Sequence, residues 1–505
     1  MMLSNPTQTF ERAPSAIRVD AEDNVAIALR RLEVGETIAV AGLTLRLIDA
    51  IEQGHKFALE DIPAGEIIRK YGAPVGRSTA PIAAGAHAHT HNIETLLSGV
   101  EGYQYEPAAA LPLPSAADLR ISGYQRSDGR VGTRNEIWIL PTVGCVSRTA
   151  ERIAAIAHAR HSKTIDGVYA FTHPFGCSQL GEDLAGTRSV LAALACNPNA
   201  GGVLIIGLGC ESNQLDALLD EIPGSLRAKI RTMKAQAEED ETETGLAIID
   251  ALVATASLAK RSPVPLSKLV LGLKCGGSDA FSGLTANPLV GRMADLVIGS
   301  GGSAVLSEIP EIFGAERMLM ARARDRAVFD SLAAVVNDFK RYFLTHGQPV
   351  SENPSPGNLA GGITTLEEKS LGAVQKGGHA PVGDVLRYGE QVRRNGLTLL
   401  EAPGNDAVSS TALAAAGATL ILFTTGRGTP LGFPVPTVKI ASNSALAERK
   451  KNWIDFDAGK VLTNGLDQCA DQLLKLVMRV ASGDETASER NDEREIAIWK
   501  RGVTL

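Results

Sequence analysis

Four cysteines stand where apolar runs end beside glycine: Cys145 in ILPTVGC, Cys177 in YAFTHPFGC, Cys210 in VLIIGLGC and Cys275 in LVLGLKCGGSDAFSGLTANP. A buried strand that ends in a glycine turn and then starts a helix places polar chemistry at the carboxyl edge of a sheet. The intervals between the four are 32, 33 and 65 residues, close to one, one and two βαβ lengths. This spacing predicts four strand ends that bring four thiols to one sheet edge, a candidate metal site of Cys145, Cys177, Cys210 and Cys275. Cysteine is also a small buried residue, and that plainer role competes at each position. The second constellation is HAHTHN. His87, His89 and His91 alternate, so an extended backbone projects all three to one face. Three imidazoles on one face suit a metal ion or an anionic substrate. Asn92 stands beside them, and His87 and His89 are the alternative metal ligands.

Other polar groups gather after apolar runs. His173, Cys177, Gln179, Glu182 and Asp183 share one short window, and Glu211, Ser212 and Asn213 follow Cys210. Glu308 follows a short apolar run further on. His173, Cys177, Glu211 and Glu308 are the catalytic candidates, although Glu211 would equally suit a helix start. Arg126, Arg130 and Arg134 could each hold a carboxylate bidentately, with solvated loop charge as the competing role. Arg134, Gln179, Ser278, Asp279, Asn405 and Asp406 complete the substrate-binding candidates with the HAHTHN residues. A loop-rich stretch from 350 to 385 offers Asn353, Asn358, Thr364, Glu367 and Lys369. Gly299, Gly301 and Ala304 match G-x-G-x-x-A after an expected strand, but no smooth crossover helix follows, so NAD binding is rejected. The GK[ST], H-E-x-x-H and G-x-S-x-G patterns are absent.

The elements that must position these groups follow from composition and pattern. The 505 residues are 44% apolar and 21% charged, with 51 glycines that fit many βα turns. A net charge of -7 argues against nucleic acid as a partner. The opening MMLSNPTQTFERAP lacks the apolar core of a signal peptide, and no apolar run is long enough to span a membrane. Six cysteines without a small disulfide framework point to a reducing cytoplasm. Residues 17–72 read as short strands broken by glycine turns, and 105–119 as a Pro/Ala linker. The expected boundaries are 1–104 for a small β domain, 105–119 for the linker, 120–256 for a second α/β domain and 257–505 for a C-terminal α/β catalytic domain. Residues 225–262 read as a charged helix pair, 316–346 as helical, and the run after Asp279 as a helix ending at Pro288.

The segments GHKFAL, HAHTHN, GRVGTRNEIWILPTVGC, GCSQLGED, IGLGCESNQ, LKCGGSDAFSGLTANP, GGSAVLSEIPEIFGAE, ENPSPGN, GGITTLEEKSLG, APGNDAV, TTGRGTP and WIDFDAG span nearly the whole chain. Together they resemble the altronate and galactarate (sugar-acid) dehydratases. The resemblance implies a small β-rich SAF-like domain ahead of an α/β catalytic region of strand–turn–helix units. It also implies a hydro-lyase dependent on Fe(2+) or Mn(2+). HAHTHN and the closing NDEREIAIWKRGVTL resemble the altronate branch, which implies conversion of D-altronate to 2-dehydro-3-deoxy-D-gluconate and water. Such a reaction removes the C2 proton beside a carboxylate, so the enolate must be neutralised by cations or donors. The expected partner is an aldonate, with neither nucleic acid nor membrane, in a homo-oligomer. A galactarate dehydratase is the alternative within this chemistry. A sulfolactate sulfo-lyase-like lyase and a non-catalytic sugar-acid binding protein are the others.

Overall fold

The computed structural model describes residues 14–116 and 118–505. The opening stretch read for a signal peptide thus lies outside the described residues up to position 13, as does Ala117 of the linker. The chain divides into two compact units. One comprises the residues up to Leu97 with Ser351–Lys369, and the other comprises Ser98–Val350 with Ser370–Leu505.

The first unit is built from short antiparallel strands. Ala16–Ile17, Val25–Ala28, Lys56–Ala58 and His87–Ala88 form one sheet in that order. A hairpin of Thr37–Val40 and Leu43–Arg46 and a three-stranded sheet of Ile67–Lys70, Ala73–Ser78 and Ile93–Glu94 complete the strands. Ala26, Ala28, Leu32, Ile38, Val40, Ile51 and Phe57 share its core.

In the second unit, strands and helices are numbered along the chain. The first parallel sheet holds β1 (Glu136–Pro141), β2 (Gly167–Ala170), β3 (Ala200–Gly207) and β4 (Ile230–Lys234) in the order β2-β1-β3-β4. Helices α1 (Ser147–His161) and α2 (Gly181–Ala195), the short α3 (Leu215–Asp220) and α4 (Glu241–Ala256) follow its strands. Ile137, Ile139, Leu204 and Ile206 of the sheet pack with Ile153 of α1 and Ile249 of α4. The second sheet is larger. Its strands are β5 (Val270–Cys275), β6 (Ser303–Leu306), β7 (Val382–Leu386), β8 (Gly396–Leu400), β9 (Leu420–Thr425), β10 (Thr437–Ala441) and β11 (Phe456–Asp457). They run parallel in the order β7-β8-β6-β5-β9-β10-β11. β9 and β10 are buried at every residue, as strands covered on both faces must be. The order reverses between β5 and β9, and such a switch point opens a crevice at the carboxyl ends of the strands.

Several expectations change. The stretch 225–262 is one helix, not two: β4 occupies the edge of the first sheet, and Asp240 then caps α4 by accepting from the N–H groups of Thr242 and Glu243. A polar edge strand has one solvated side, so its pattern reads as a charged helix. The run after Asp279 turns without a helix until α5 (Ala286–Gly299). Pro288 lies in the first turn of α5, where its missing N–H costs nothing. The glycines of the G-x-G-x-x-A match stand at the end of α5 and before β6, so they close a helix rather than open one. Residues 316–346 are helical as expected, in Glu316–Met320 and α6 (Arg326–Thr345).

Candidate active site

At the switch point the second sheet gathers charge in its interior. Cys275 ends β5, Glu308 follows β6, and Asp406 opens helix α7 (Asp406–Ala415) between β8 and β9. Lys376 comes from the short turn Val374–Gly377. Lys274 forms ion pairs with Glu308 and, at 2.9 Å, with Asp406. Lys376 Nζ lies 2.7 Å from Cys275 Sγ and 3.1 Å from Glu308 Oε2. The Cys275 N–H donates to the same Glu308 oxygen at 3.1 Å. Burial disfavours the charge on both lysines, but Glu308, Cys275 and the other acids outweigh it and raise them well above the usual range. They are therefore ammonium ions. Burial first, and then Glu308, push the Cys275 thiol up to about 12, so it is neutral. Asp406 is the open member: its side chain is 30% exposed, against 0% for Lys274 and 1% for Glu308. Glu308 adopts φ 71, a left-handed conformation costly for a non-glycine residue and concentrated at functional sites.

The glycine after Cys275 is dictated by this packing. A Cβ on Gly276 would lie 2.4 Å from Asp406 Oδ2 and 2.6 Å from the Phe423 ring. Gly276→Ala should therefore displace the Asp406 carboxylate. The expected outcome is at least a tenfold lower kcat with secondary structure retained, checked by steady-state kinetics beside circular dichroism.

Histidines form a second constellation, within the first unit. His87 lies on a strand paired with Phe57, and His55 precedes that partner strand. His89 and His91 fall in the turn that follows, so the segment is extended only at His87–Ala88. The turn replaces the expected alternation but still gathers the rings: His87 stacks 5.3 Å from His89 and packs 5.4 Å from His91. His55 joins them, 4.7 Å from His89 between centroids and 3.0 Å from His87 between ring nitrogens. Asn92 holds the turn, accepting from the His89 N–H and donating to the His87 carbonyl. Burial first, and then the crowding of the histidines with one another and Lys56, push His87 and His89 down to about 4, leaving neutral imidazoles.

The four cysteines do not share an edge. Cys145, Cys177 and Cys210 follow β1, β2 and β3 of the first sheet, whereas Cys275 ends β5 of the second. The 65-residue interval contains β4, α4 and the antiparallel strand Arg261–Pro265, after which a new sheet begins. Among the described residues, Cys275, Glu308 and Glu311 are the one group whose three ligand atoms lie within 4.8 Å of one another.

Other candidates are committed to structure. Arg134 is buried and bidentate to Glu489, which Arg494 links to Glu136. Arg126 donates to Pro198, Asn135 and the Arg134 carbonyl, and Arg130 to Asp128 and the Cys196 carbonyl. His173 is bonded through Nε2 to the Pro141 carbonyl, its Nδ1 accepts from Phe175, and burial pushes it down to about 4. Burial opposes the charge on Glu211, but Thr142 and the N–H groups of Gly209 and Leu208 win and hold it below its ordinary value, so it organises its own loop. Asp183 accepts from the N–H groups of Arg501 and Gly502, and Asn405 caps α7. Asp279 binds Ser282, Ser442 and Asn443 in the turn after Cys275, where Ser278 is also buried. Gln179 accepts from Gly176. In the loop-rich stretch, Thr364 donates to Glu368, Glu367 accepts from Thr95 and Leu96, and Lys369 donates to Asn353 and Asn358. Lys274, Lys376 and His55 went unremarked in the sequence. A lysine inside an apolar strand and a histidine in GHKFAL were the available signals.

Three family domains match the chain in order. Residues 14–96 match the "Altronate/galactarate dehydratase SAF domain", 123–257 the "D-galactarate dehydratase/Altronate hydrolase, second domain", and 266–504 the "D-galactarate/Altronate dehydratase, C-terminal" domain. An altronate dehydratase of Escherichia coli (strain K12) is 50% identical over 97% of this chain and 99% of its own length. One from Bacillus subtilis (strain 168) is 46% identical over 97% of this chain and 100% of its own. A galactarate dehydratase (L-threo-forming) of Escherichia coli (strain K12) is 34% identical over 94% of both. Residues 14–96, the β-rich part of the first unit, are thus a SAF domain, the parallel sheets make up the α/β region that follows, and the chain belongs to the altronate/galactarate dehydratase family of hydro-lyases.

Proposed function

We propose that this enzyme is a metal-dependent altronate dehydratase, converting D-altronate to 2-dehydro-3-deoxy-D-gluconate and water. The observation that carries the reading is 50% identity to an altronate dehydratase over 97% of the chain, against 34% to a galactarate dehydratase. The Lys274–Lys376 centre suits the chemistry. Asp406, its open carboxylate, is positioned to take the C2 proton of the aldonate. The electron pair moves into the C1–C2 bond, and the buried Lys274 ammonium, 2.9 Å from Asp406, stabilises through space the negative charge that builds on the substrate carboxylate. The C3 hydroxyl departs as water with the proton returned by Asp406, and the enol tautomerises to the 2-keto acid. Glu308 is a positioning residue, holding both ammonium groups in place.

For the divalent metal, Fe(2+) or Mn(2+), two donor sets can be compared. Around Cys275 the Lys376 ammonium already lies against the thiol and Glu308, so a second cation there competes with it. His55 and His87 offer a pair of ring nitrogens 3.0 Å apart, with the His89 ring stacked on His55, and a pair of imidazoles suits iron or manganese with added oxygen ligands. They would hold the metal, which supplies Lewis-acid neutralisation of an anionic substrate when bound. The cytoplasm is the compartment we assign. Support comes from six unpaired cysteines, and among the described residues no helix is long and apolar enough to cross a membrane.

The test is to purify the protein without oxygen and supply Fe(II) or Mn(II). D-altronate and galactarate are then offered separately while 2-keto-3-deoxy acid is assayed. Metal-dependent turnover of altronate alone is expected. Turnover of galactarate alone would move the substrate, and no product with any metal would sink the dehydratase reading.

A further inference from the structure

The three cysteines left in the first sheet have a geometry of their own. Cys145, Cys177 and Cys210 are all exposed and unpaired, and they follow three adjacent strands, with β1 between β2 and β3. Their loops are laced together. Gly144 donates to the Phe175 carbonyl at 2.8 Å, and Asn213 donates from its backbone to Gly176 at 2.9 Å and from its side chain to Thr142 at 3.2 Å. The approach is so close that a Cβ on Gly176, at φ 100, would lie 2.0 Å from the Thr142 carbonyl oxygen. Three thiols on three interlocked loops therefore face solvent at one end of one sheet.

We propose that Cys145, Cys177 and Cys210 ligate an iron–sulfur cluster of the [4Fe–4S] type, each thiolate taking one iron and leaving the fourth without a protein ligand. The separation of the sulfurs does not fit a single ion. These sulfurs do not form a group within 4.8 Å of one another, since the one such group among the described residues is elsewhere. A single ion needs its ligands that close, whereas a cube distributes its thiolates over separate irons. The surroundings suit an anionic cluster. The 15-residue helices α1 and α2 begin just after Cys145 and Cys177, directing their positive ends toward the site. The Gln236 amide nitrogen lies 3.6 Å from Cys210 Sγ, the kind of donor that tunes cluster sulfur. A second donor is waiting: Gln179 is 4% exposed, its Oε1 is fixed by the N–H of Gly176, and its Nε2 is buried with no partner. The same amide is tied through its oxygen to Gly176, the residue before Cys177. A cluster sulfide or a ligand on the open iron would satisfy its Nε2.

The inference does not depend on the dehydratase reading, because its readouts need no turnover. The full-length protein is prepared without oxygen and reconstituted with Fe(III), excess dithiothreitol as reductant, and sulfide. A broad visible charge-transfer band is expected, with about four irons and four acid-labile sulfides per chain. Cys145→Ser, Cys177→Ser and Cys210→Ser should each lose the band, whereas Cys196→Ser should keep it. Circular dichroism and thermal melting report whether each variant folds. Alkylation of the unmodified protein gives a second measurement: the three thiols should be protected until the cluster is stripped. Iron without sulfide, a band that survives the triple serine variant, or three freely alkylated thiols in the reconstituted protein would overturn the proposal.

Discussion

Asp406→Asn is expected to lower kcat by about 10²–10⁴-fold, the range ascribed to a positioned proton-transfer group, with the melting temperature nearly unchanged. The asparagine keeps the size and the hydrogen-bonding oxygen that Lys274 uses, and it leaves the Asn405 cap of α7 intact. What it removes is the carboxylate that can carry a proton. Because Asp406 is partly exposed, losing its charge does not strand a fully buried partner: Lys274 keeps Glu308. Glu308→Gln should behave differently. Its carboxylate lies between two fully buried ammonium groups, and breaking such a cluster costs about 3–5 kcal/mol. Activity and melting temperature should therefore fall together. Parallel measurement of 2-keto-3-deoxy acid formation and thermal unfolding separates the two roles. An Asp406→Asn enzyme with near-normal kcat would remove Asp406 from the proton-transfer step.

Glu368→Gln should destabilise the first unit by about 3–5 kcal/mol, the cost of leaving a buried charge without its partner. Glu368 is 2% exposed and lies 2.8 Å from both Lys56 Nζ and Lys70 Nζ, each of which is fully buried. It also accepts from the backbone and hydroxyl of Thr364. Burial opposes its charge, but the two ammonium groups prevail and hold the carboxyl far below its ordinary value of 4.5. The same carboxylate is shared unequally. At Lys70 its charge outweighs burial and the pKa rises. At Lys56 burial prevails, with Lys70 beside it, and the pKa falls to about 8.

The pH dependence follows from the depressed carboxyl. A group that ionises more readily in the folded state contributes its full stability above the unfolded value. That contribution is lost as pH falls below about 4.5, by about 1.4 kcal/mol for each pH unit. The native chain should thus lose stability steeply on acidification, and Glu368→Gln should flatten that limb while starting lower. Urea unfolding of the full chain from neutral to acidic pH, followed by a probe in the first unit, measures both. Parallel acid limbs in the two proteins would show that Glu368 does not carry the effect.

Much of this protein was legible before folding. Apolar runs closed by glycine marked β1, β3 and β5, because strands covered on both faces carry little else. Glu308 and Asp406 were visible as acids after strands, and the HAHTHN histidines as one cluster. Arg134 shows the limit. An arginine in a polar loop looks available for substrate, and only its long-range pairing with Glu489 reveals that it is spent. Lys274 and Lys376 show the converse: nothing local says that a lysine in an apolar strand and another in a short turn will meet at one glutamate.

The sequence by itself determined the local periods, the turns and the family, since strand pattern, capping residues and motif order are properties of neighbouring residues. Only the tertiary structure decided which strand ends share an edge. Sheet order is set by crossovers and by burial between distant segments, and no interval along the chain records it. Intervals of 32, 33 and 65 residues suggested four equivalent thiols, but the chain starts a second sheet after the antiparallel strand Arg261–Pro265. That topology left three thiols on exposed loops and buried the fourth between lysines and glutamates.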